Sequence, residues 1–85
     1  MITVRALGVA KGLMGPILKL DVDGGSTVKD VVKMLPEGLQ EMAERKELSL
    51  MVNGADVSTL DGAATELKDG DELVLLPFAH GGSQG

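Results

Sequence analysis

The chain has 85 residues, of which 44% are hydrophobic and 1% aromatic; its formal net charge is -5 and it has no cysteine. This length fits one domain, and the missing cysteines exclude a disulfide scaffold, a thiolate metal site and a nucleophilic thiol. The acidic charge argues against nucleic acid, because phosphate binding needs a concentrated basic surface. No apolar run reaches the roughly 18 residues of a membrane span, and the first residues lack a signal-peptide pattern. We therefore expect a cytoplasmic protein that binds neither nucleic acid nor membrane.

Two segments with alternating apolar residues open the chain. Residues 2–9 and 17–22 both alternate apolar and polar side chains at their start, which predicts two strands. Residues 10–16 between them contain two glycines and a proline, so we expect a turn or loop there. The three segments together predict an N-terminal hairpin.

The following segment changes to a helical period. Its apolar side chains recur at the spacing i, i+3, i+4 and i+7, at Val28, Val31, Val32 and Leu35. Thr27 is placed to cap this helix, with Asp30 three residues later in a variant of the capping box. Pro36 ends the helix or begins a second short one over residues 37–47.

The second half of the chain predicts further strands and tight turns. Residues 48–57 read as extended chain interrupted by Asn53-Gly54, which is typical of a type I′ hairpin turn. Residues 68–71 form a second turn, and residues 72–76 are the most apolar strand. This order predicts a two-layer α+β domain. We expect a mixed four- to five-stranded sheet with one main helix packed on one face, and with the first and last strands at its centre.

Alternation divides the last strand into two pairs of side chains. Leu73 and Leu75 point to one face of the sheet, and Val74 and Leu76 point to the other. One helix covers one face, so an apolar pair should remain exposed on the other, as is common at protein interfaces. Alternatively a loop covers this pair, or the strand is buried on both faces.

These features together resemble the β-grasp, ubiquitin-like proteins. Among them the chain is most similar to the sulfur carriers: the small subunit of molybdopterin synthase, the thiamine-biosynthesis sulfur carrier and the small archaeal modifiers. Four features carry the resemblance: "STVKDVVKML", "LMVNGADV", "LKDGDELVLLP" and the dipeptide Gly81-Gly82 near the C-terminus. Each is common alone, but their order and spacing cover nearly the whole chain. The resemblance implies a β-grasp domain over residues 1–78 and a flexible tail over residues 79–85.

The resemblance implies a carrier or modifier, not an enzyme. An activating, adenylating enzyme would use ATP on the carboxylate of Gly82, and the carrier itself would bind no cofactor. The acyl-adenylate then becomes a thiocarboxylate that donates sulfur, or joins a lysine as an isopeptide. Glycines at 81 and 82 suit this task because a residue without Cβ passes through a narrow channel. The partners implied are the adenylating enzyme, the molybdopterin synthase large subunit and lysine-bearing target proteins.

We expect partners to dock on the open sheet face beside the tail. The residues assigned to this surface are Leu73, Leu75, Pro77, Phe78 and His80. Phe78 is the single aromatic residue, so it serves either as an exposed anchor for a partner or as a cap on the core. The simpler interpretation of His80 is a solvated tail residue.

Three residues follow the paired glycines, unlike in mature sulfur carriers. With Ser83-Gln84-Gly85 attached, the carboxyl group of Gly82 is an amide and cannot be adenylated. Four explanations remain open: a precursor that a protease cleaves between Gly82 and Ser83, a cloning remnant, a binding domain without the chemistry, or activation at Gly85. We favour the precursor. The alternative function is a non-covalent ubiquitin-like interaction module that acts through its open sheet face.

Overall fold

The structure is a computed structural model that describes residues 1–78. Its elements are β1 (Ile2–Ala6), α1 (Val9–Met14), β2 (Ile17–Leu20), α2 (Val28–Val32), α3 (Glu37–Glu44), β3 (Leu48–Val52), β4 (Ala55–Asp56) and β5 (Glu72–Pro77). Two 3-10 turns, Val57–Thr59 and Gly62–Ala64, lie between β4 and β5. Within the described part of the chain, no helix is long and apolar enough to cross a membrane.

The five strands form one mixed sheet in the order β2-β1-β5-β3-β4. β1 pairs with β5 in parallel, whereas β1 with β2, β3 with β5 and β3 with β4 are antiparallel pairs. The last strand therefore lies in the middle and the first strand beside it, as predicted. The α+β fold with a mixed sheet is confirmed.

The core lies between one face of the sheet and the helical layer. Alternate residues of the central strands point into it, because side chains alternate between the faces of a sheet. Its buried apolar residues are Ile2, Val4, Ala6, Ala10, Val28, Val31, Leu35, Leu39, Leu48, Val52, Leu67, Leu73 and Leu75. The core is aliphatic throughout, as the composition requires.

The connection between β1 and β2 contains a helix, so the prediction of a simple loop was wrong. Gly8 and Gly15 have positive φ values of 58° and 86° and bound α1 on its two sides. Ala10 is fully buried, and Met14, one helical turn later, packs against the core. Of the two glycines that suggested a loop, Gly15 therefore ends a helix and Gly12 lies within it. The two strands do pair as predicted, with Val4 opposite Leu18.

The helical layer consists of short helices separated at Pro36. Thr27 caps α2: its hydroxyl accepts from the Asp30 N–H at 3.3 Å, and the Asp30 carboxylate accepts from the Thr27 N–H at 3.0 Å. This confirms the predicted capping box, a type of cap typically worth about 1 kcal/mol. After α2 ends, the Gln40 amide donates to the Leu35 carbonyl at 2.7 Å. α3 thus satisfies a carbonyl that the broken helix leaves free.

The Asn53-Gly54 turn joins β3 to β4 as predicted. Both residues have positive φ, 51° and 88°, as a type I′ turn requires. The Asn53 side chain also donates to the Asp71 carboxylate at 2.9 Å and accepts from the Glu72 N–H at 2.9 Å. These bonds tie the turn to the start of β5.

Candidate functional site

β5 carries the core on one face and an open surface on the other. Leu73 and Leu75 are both 0% exposed and lie beneath the helices. Their assignment to partner binding is therefore wrong, because their side chains are inside the core. The pair on the open face is Val74, which is half-buried, and Leu76, which is 41% exposed.

A group of exposed apolar side chains surrounds the end of β5. We call it the tail-base patch; its members are Leu7, Val9, Leu76 and Phe78, each at least 41% exposed. The Leu7 N–H donates to the Leu75 carbonyl at 3.1 Å, which places Leu7 beside Leu76 on the open face. Phe78 is the last residue described, so this patch lies where the chain leaves the sheet.

Phe78 is held by its backbone while its ring stays accessible. Its N–H donates to the Glu47 carbonyl at 3.0 Å, and its side chain is 51% exposed. A ring capping the core would be largely covered, so the structure favours the interpretation of Phe78 as an exposed side chain. A large aromatic on a fixed backbone suits a docking anchor, since few rotamers are lost when it is covered.

The patch borders a shallow hollow. Its lining residues are Gly8, Val9, Met42, Glu47, Leu76, Pro77 and Phe78. Gly8 holds its positive φ here, and a Cβ on it would lie 3.6 Å from the Pro77 ring. The hollow brings together α1, the end of α3 and the end of β5.

The remainder of the open face is mixed: Ile17 is 46% exposed opposite Arg5, and half-buried Met51 lies opposite half-buried Val74, beside polar pairs. The Arg5 guanidinium pairs with the Glu72 carboxylate at 3.0 Å, and the Ser49 hydroxyl donates to the Asp56 carboxylate at 3.1 Å. Hydrogen bonds from Ser58 first, then from Ser49, hold the pKa of Asp56 below its usual value. Beyond the tail-base patch the open face thus combines apolar side chains with polar pairs.

The predicted site residues fall into three groups. Pro77 lines the hollow and Phe78 lies on the patch, whereas Leu73 and Leu75 are in the core. His80, Gly81, Gly82 and Ser83 lie outside the described residues. Sequence reasoning missed Leu7 and Val9, although Leu7 continues the outward alternation of Thr3 and Arg5 along β1. Within residues 1–78 no cluster of three or more His, Asp or Glu is placed to bind a metal ion.

Comparison with known proteins identifies the family. The sequence pattern of the ThiS family matches residues 10–82. This chain belongs to the ThiS family. Its match begins in α1 and ends at Gly82, so it covers most of the domain and both paired glycines.

Individual relatives support the same assignment. The chain is 35% identical to small archaeal modifier protein 3 of Haloferax volcanii in an alignment 69 positions long that covers 72% of this chain and 75% of that protein. It superimposes on small archaeal modifier protein 1 of Methanosarcina acetivorans with a TM-score of 0.76 at 25% identity, covering 95% of each chain. It also matches a chain in the complex of subunits 1 and 2 of the Helicobacter pylori molybdopterin-converting factor, with a TM-score of 0.65 at 26% identity, covering 95% of this chain and 97% of that chain.

The predicted resemblance is therefore confirmed. This ThiS-family chain is a β-grasp, ubiquitin-like protein of the sulfur-carrier and modifier type. Its relatives are small modifiers and a converting-factor subunit, which agrees with a protein that is not itself a catalyst. The structure solved as a complex shows that a relative of this fold assembles with a partner protein.

Proposed function

We propose that this ThiS-family protein carries an activated C-terminal glycine. An adenylating enzyme binds the tail-base patch, and the carboxylate of Gly82 attacks the α-phosphorus of ATP with loss of pyrophosphate. A sulfur nucleophile or a lysine amine then displaces AMP from the glycine carbonyl. The product is a thiocarboxylate for sulfur transfer or an isopeptide on a target protein.

The observation that carries this proposal is the position of the patch. Exposed Leu7, Leu76 and Phe78 lie where β5 ends, and Phe78 is four residues before Gly82. A partner that covers the patch therefore holds the start of the tail at a fixed distance from its own active site. Proximity of this kind can supply several kcal/mol toward a reaction barrier, on the order of 7–11 in the best cases.

The same chemistry requires a free carboxylate at Gly82. The family match ends at Gly82, and Ser83 would hold that carboxyl group as an amide. We therefore propose that a protease cleaves between Gly82 and Ser83 before activation. Pathways that use the molybdopterin synthase large subunit or lysine-bearing targets both fit the cleaved form.

Intact-mass measurement of the protein from its native host tests the proposal. The expected masses are a chain ending at Gly82, the same chain with one oxygen replaced by sulfur, or Gly82 joined to the ε-amine of a lysine. The second species indicates sulfur transfer and the third indicates protein modification. A protein that always retains residues 83–85 and forms no conjugate contradicts the proposal.

The open sheet face also favours a second function, a non-covalent interaction module. The exposed apolar patch could bind a partner without any reaction of the tail. Removing residues 81–85 distinguishes the two functions: an interaction module keeps its activity in cells, and a carrier or modifier loses it.

A further inference from the structure

Lys46 occupies a backbone position that usually selects glycine. At the end of α3 the Glu47 N–H donates to the Met42 carbonyl at 2.8 Å, and the Lys46 N–H donates to the Ala43 carbonyl at 3.1 Å. This pair of bonds is the Schellman termination, in which the residue after the cap adopts a left-handed conformation. Lys46 has a φ of 59°, where a Cβ is crowded and glycine is preferred.

Among the described residues, neither burial nor an ion pair of the side chain offsets the backbone strain at Lys46. Arg45 and Lys46 are both exposed. The ion pairs of the described residues join the Met1 amine to Asp69 and Arg5 to Glu72, so neither involves Arg45 or Lys46. A strained backbone position that keeps a charged side chain without burial or pairing suggests a role outside the fold.

The position of this basic pair indicates what the role is. Glu47, the next residue, accepts the Phe78 N–H and lines the hollow beside Met42. Arg45 and Lys46 therefore lie within two residues of the backbone contact with Phe78, in a chain whose formal net charge is -5. Acidic side chains lie on both sides, at Glu41 and Glu44 in α3 and at Glu47. The two basic residues are thus adjacent to each other, between acidic neighbours and next to the segment that contacts Phe78.

We propose that Arg45 and Lys46 contact carboxylates on the protein that covers the tail-base patch. This inference rests on the proposed function, because the partner is the adenylating enzyme. Charges at the rim of an interface mainly raise the association rate and fix orientation. An acidic rim on the partner would therefore align the tail with its active site, and the backbone strain at Lys46 is the structural cost of that charge.

A set of Lys46 variants separates the charge from the backbone strain. Lys46→Gly relieves the strain and removes the charge, Lys46→Asn removes the charge while tolerating positive φ, and Lys46→Arg keeps the charge. Lys68→Gln is the matched control, because Lys68 is an exposed cation in the turn before β5, at the opposite end of that strand from Phe78. Each full-length variant is tested for binding to the adenylating enzyme of the same organism by biolayer interferometry.

We expect the thermal stability of each variant to depend on how well residue 46 tolerates a positive φ, and its association rate to depend on the side-chain charge. Lys46→Gly should raise the Tm by about 4 °C and slow association roughly threefold or more at low salt. Lys46→Asn should slow association equally, and Lys46→Arg and Lys68→Gln should bind like the wild type. The rate difference should disappear near 0.5 M salt, on the order of the concentration that screens exposed charges.

Two results overturn the inference, and they are distinguishable. If Lys46→Gly associates as fast as the wild type at low salt, the basic pair has no role although the proposed function stands. If the wild type itself does not bind the adenylating enzyme, the proposed function fails and the inference fails with it.

Discussion

The carboxylate of Asp30 makes the stabilising cap at the start of α2 depend on pH. It accepts a hydrogen bond from the Thr27 N–H at 3.0 Å, and this bond is the main cause that holds the pKa of Asp30 below its ordinary value of 3.8. The hydrogen bond with the Thr27 hydroxyl group is the second cause, and the charges of Lys33 and Lys29 add smaller effects. A lowered pKa in the folded state means that the ionised form stabilises the fold.

We expect the stability advantage of the wild type over Asp30→Asn to depend on pH. The advantage should be fully present above the unfolded-state pKa of Asp, near 3.8. It should be lost as the pH falls through the lower folded-state pKa, because the protonated acid is a weaker acceptor. Urea unfolding of both proteins, followed by circular dichroism between pH 7 and pH 2.5, measures the difference at each pH. A difference that stays constant over this range contradicts the assigned role of Asp30.

The residues with positive φ show which local backbone conformations the sequence could predict. Asn53 and Gly54 were predicted correctly, because this dipeptide is common in the one turn type that needs two left-handed residues. Lys46 gave no such signal, since lysine has no preference for that conformation. Its geometry follows from where α3 ends, which depends on the tertiary packing of Leu39 and Met42.

At the scale of elements, β5 divides its side chains between two tasks. Leu73 and Leu75 face the helices, whereas Val74 and Leu76 face the open side of the sheet. The alternation in the sequence defined these two pairs but not which pair the helices cover. That choice depends on the register with β1, where Val4 lies opposite Leu73 and Ala6 opposite Leu75.

We expect Leu75→Ala and Leu76→Ala to have opposite consequences. Leu75→Ala should cost about 2–5 kcal/mol of stability, because it leaves a cavity in the core. Leu76→Ala should cost about 1 kcal/mol or less, since its side chain is partly in solvent already. It should instead weaken binding of the adenylating enzyme. Urea unfolding and the same binding assay measure both effects; similar stability losses in the two variants would contradict the two-faced description of β5.

The helix α1 shows why a glycine-rich connection is difficult to interpret. Gly12 and Gly15 suggested a loop, but Gly15 ends the helix and Gly12 lies within it. The burial of Ala10 and the packing of Met14 override the low helix propensity of glycine. The sequence spacing of these two residues, four apart, was the available signal.

We expect Gly12→Ala to stabilise the protein and Gly54→Ala to destabilise it. A Cβ on Gly12 would meet no atom within 4 Å, so alanine should add about 0.5–1 kcal/mol through helix propensity. Gly54 is equally uncrowded but has a φ of 88°, so alanine there should cost about 1–2 kcal/mol. Thermal unfolding of the two variants measures the contrast. Destabilisation by Gly12→Ala would mean that α1 is not helical at this position.

At the scale of the whole molecule, the polar contacts that hold β5 and the apolar patch proposed to bind a partner lie at opposite ends of the strand. The start of the strand is tied by polar contacts, from Asn53 to Asp71 and from Arg5 to Glu72. Its end carries the apolar tail-base patch with Phe78. A partner can therefore cover the end of β5 without disturbing the polar contacts that hold its start.

This separation predicts that residues 1–78 fold without the tail. The buried core residues lie between Ile2 and Leu75, and the Phe78 N–H bond to Glu47 is retained in a chain that ends at Phe78. We expect this shortened chain to match the full chain in stability within about 0.5 kcal/mol. Urea unfolding followed by circular dichroism measures it. A chain ending at Leu75 is the control; it loses the pairing of Leu76 with Ser49 and of Pro77 with Leu48 and should unfold at lower urea.

A lower midpoint for the chain ending at Phe78 would place the domain boundary further along and contradict this prediction. If the urea midpoints of the shortened and full chains are equal, the shortened chain can also separate docking from chemistry, because it lacks Gly81 and Gly82. If it also binds the adenylating enzyme but supports no ATP–pyrophosphate exchange, docking belongs to the folded domain and the chemistry to the tail. Loss of binding together with exchange would instead mean that the enzyme recognises the tail itself.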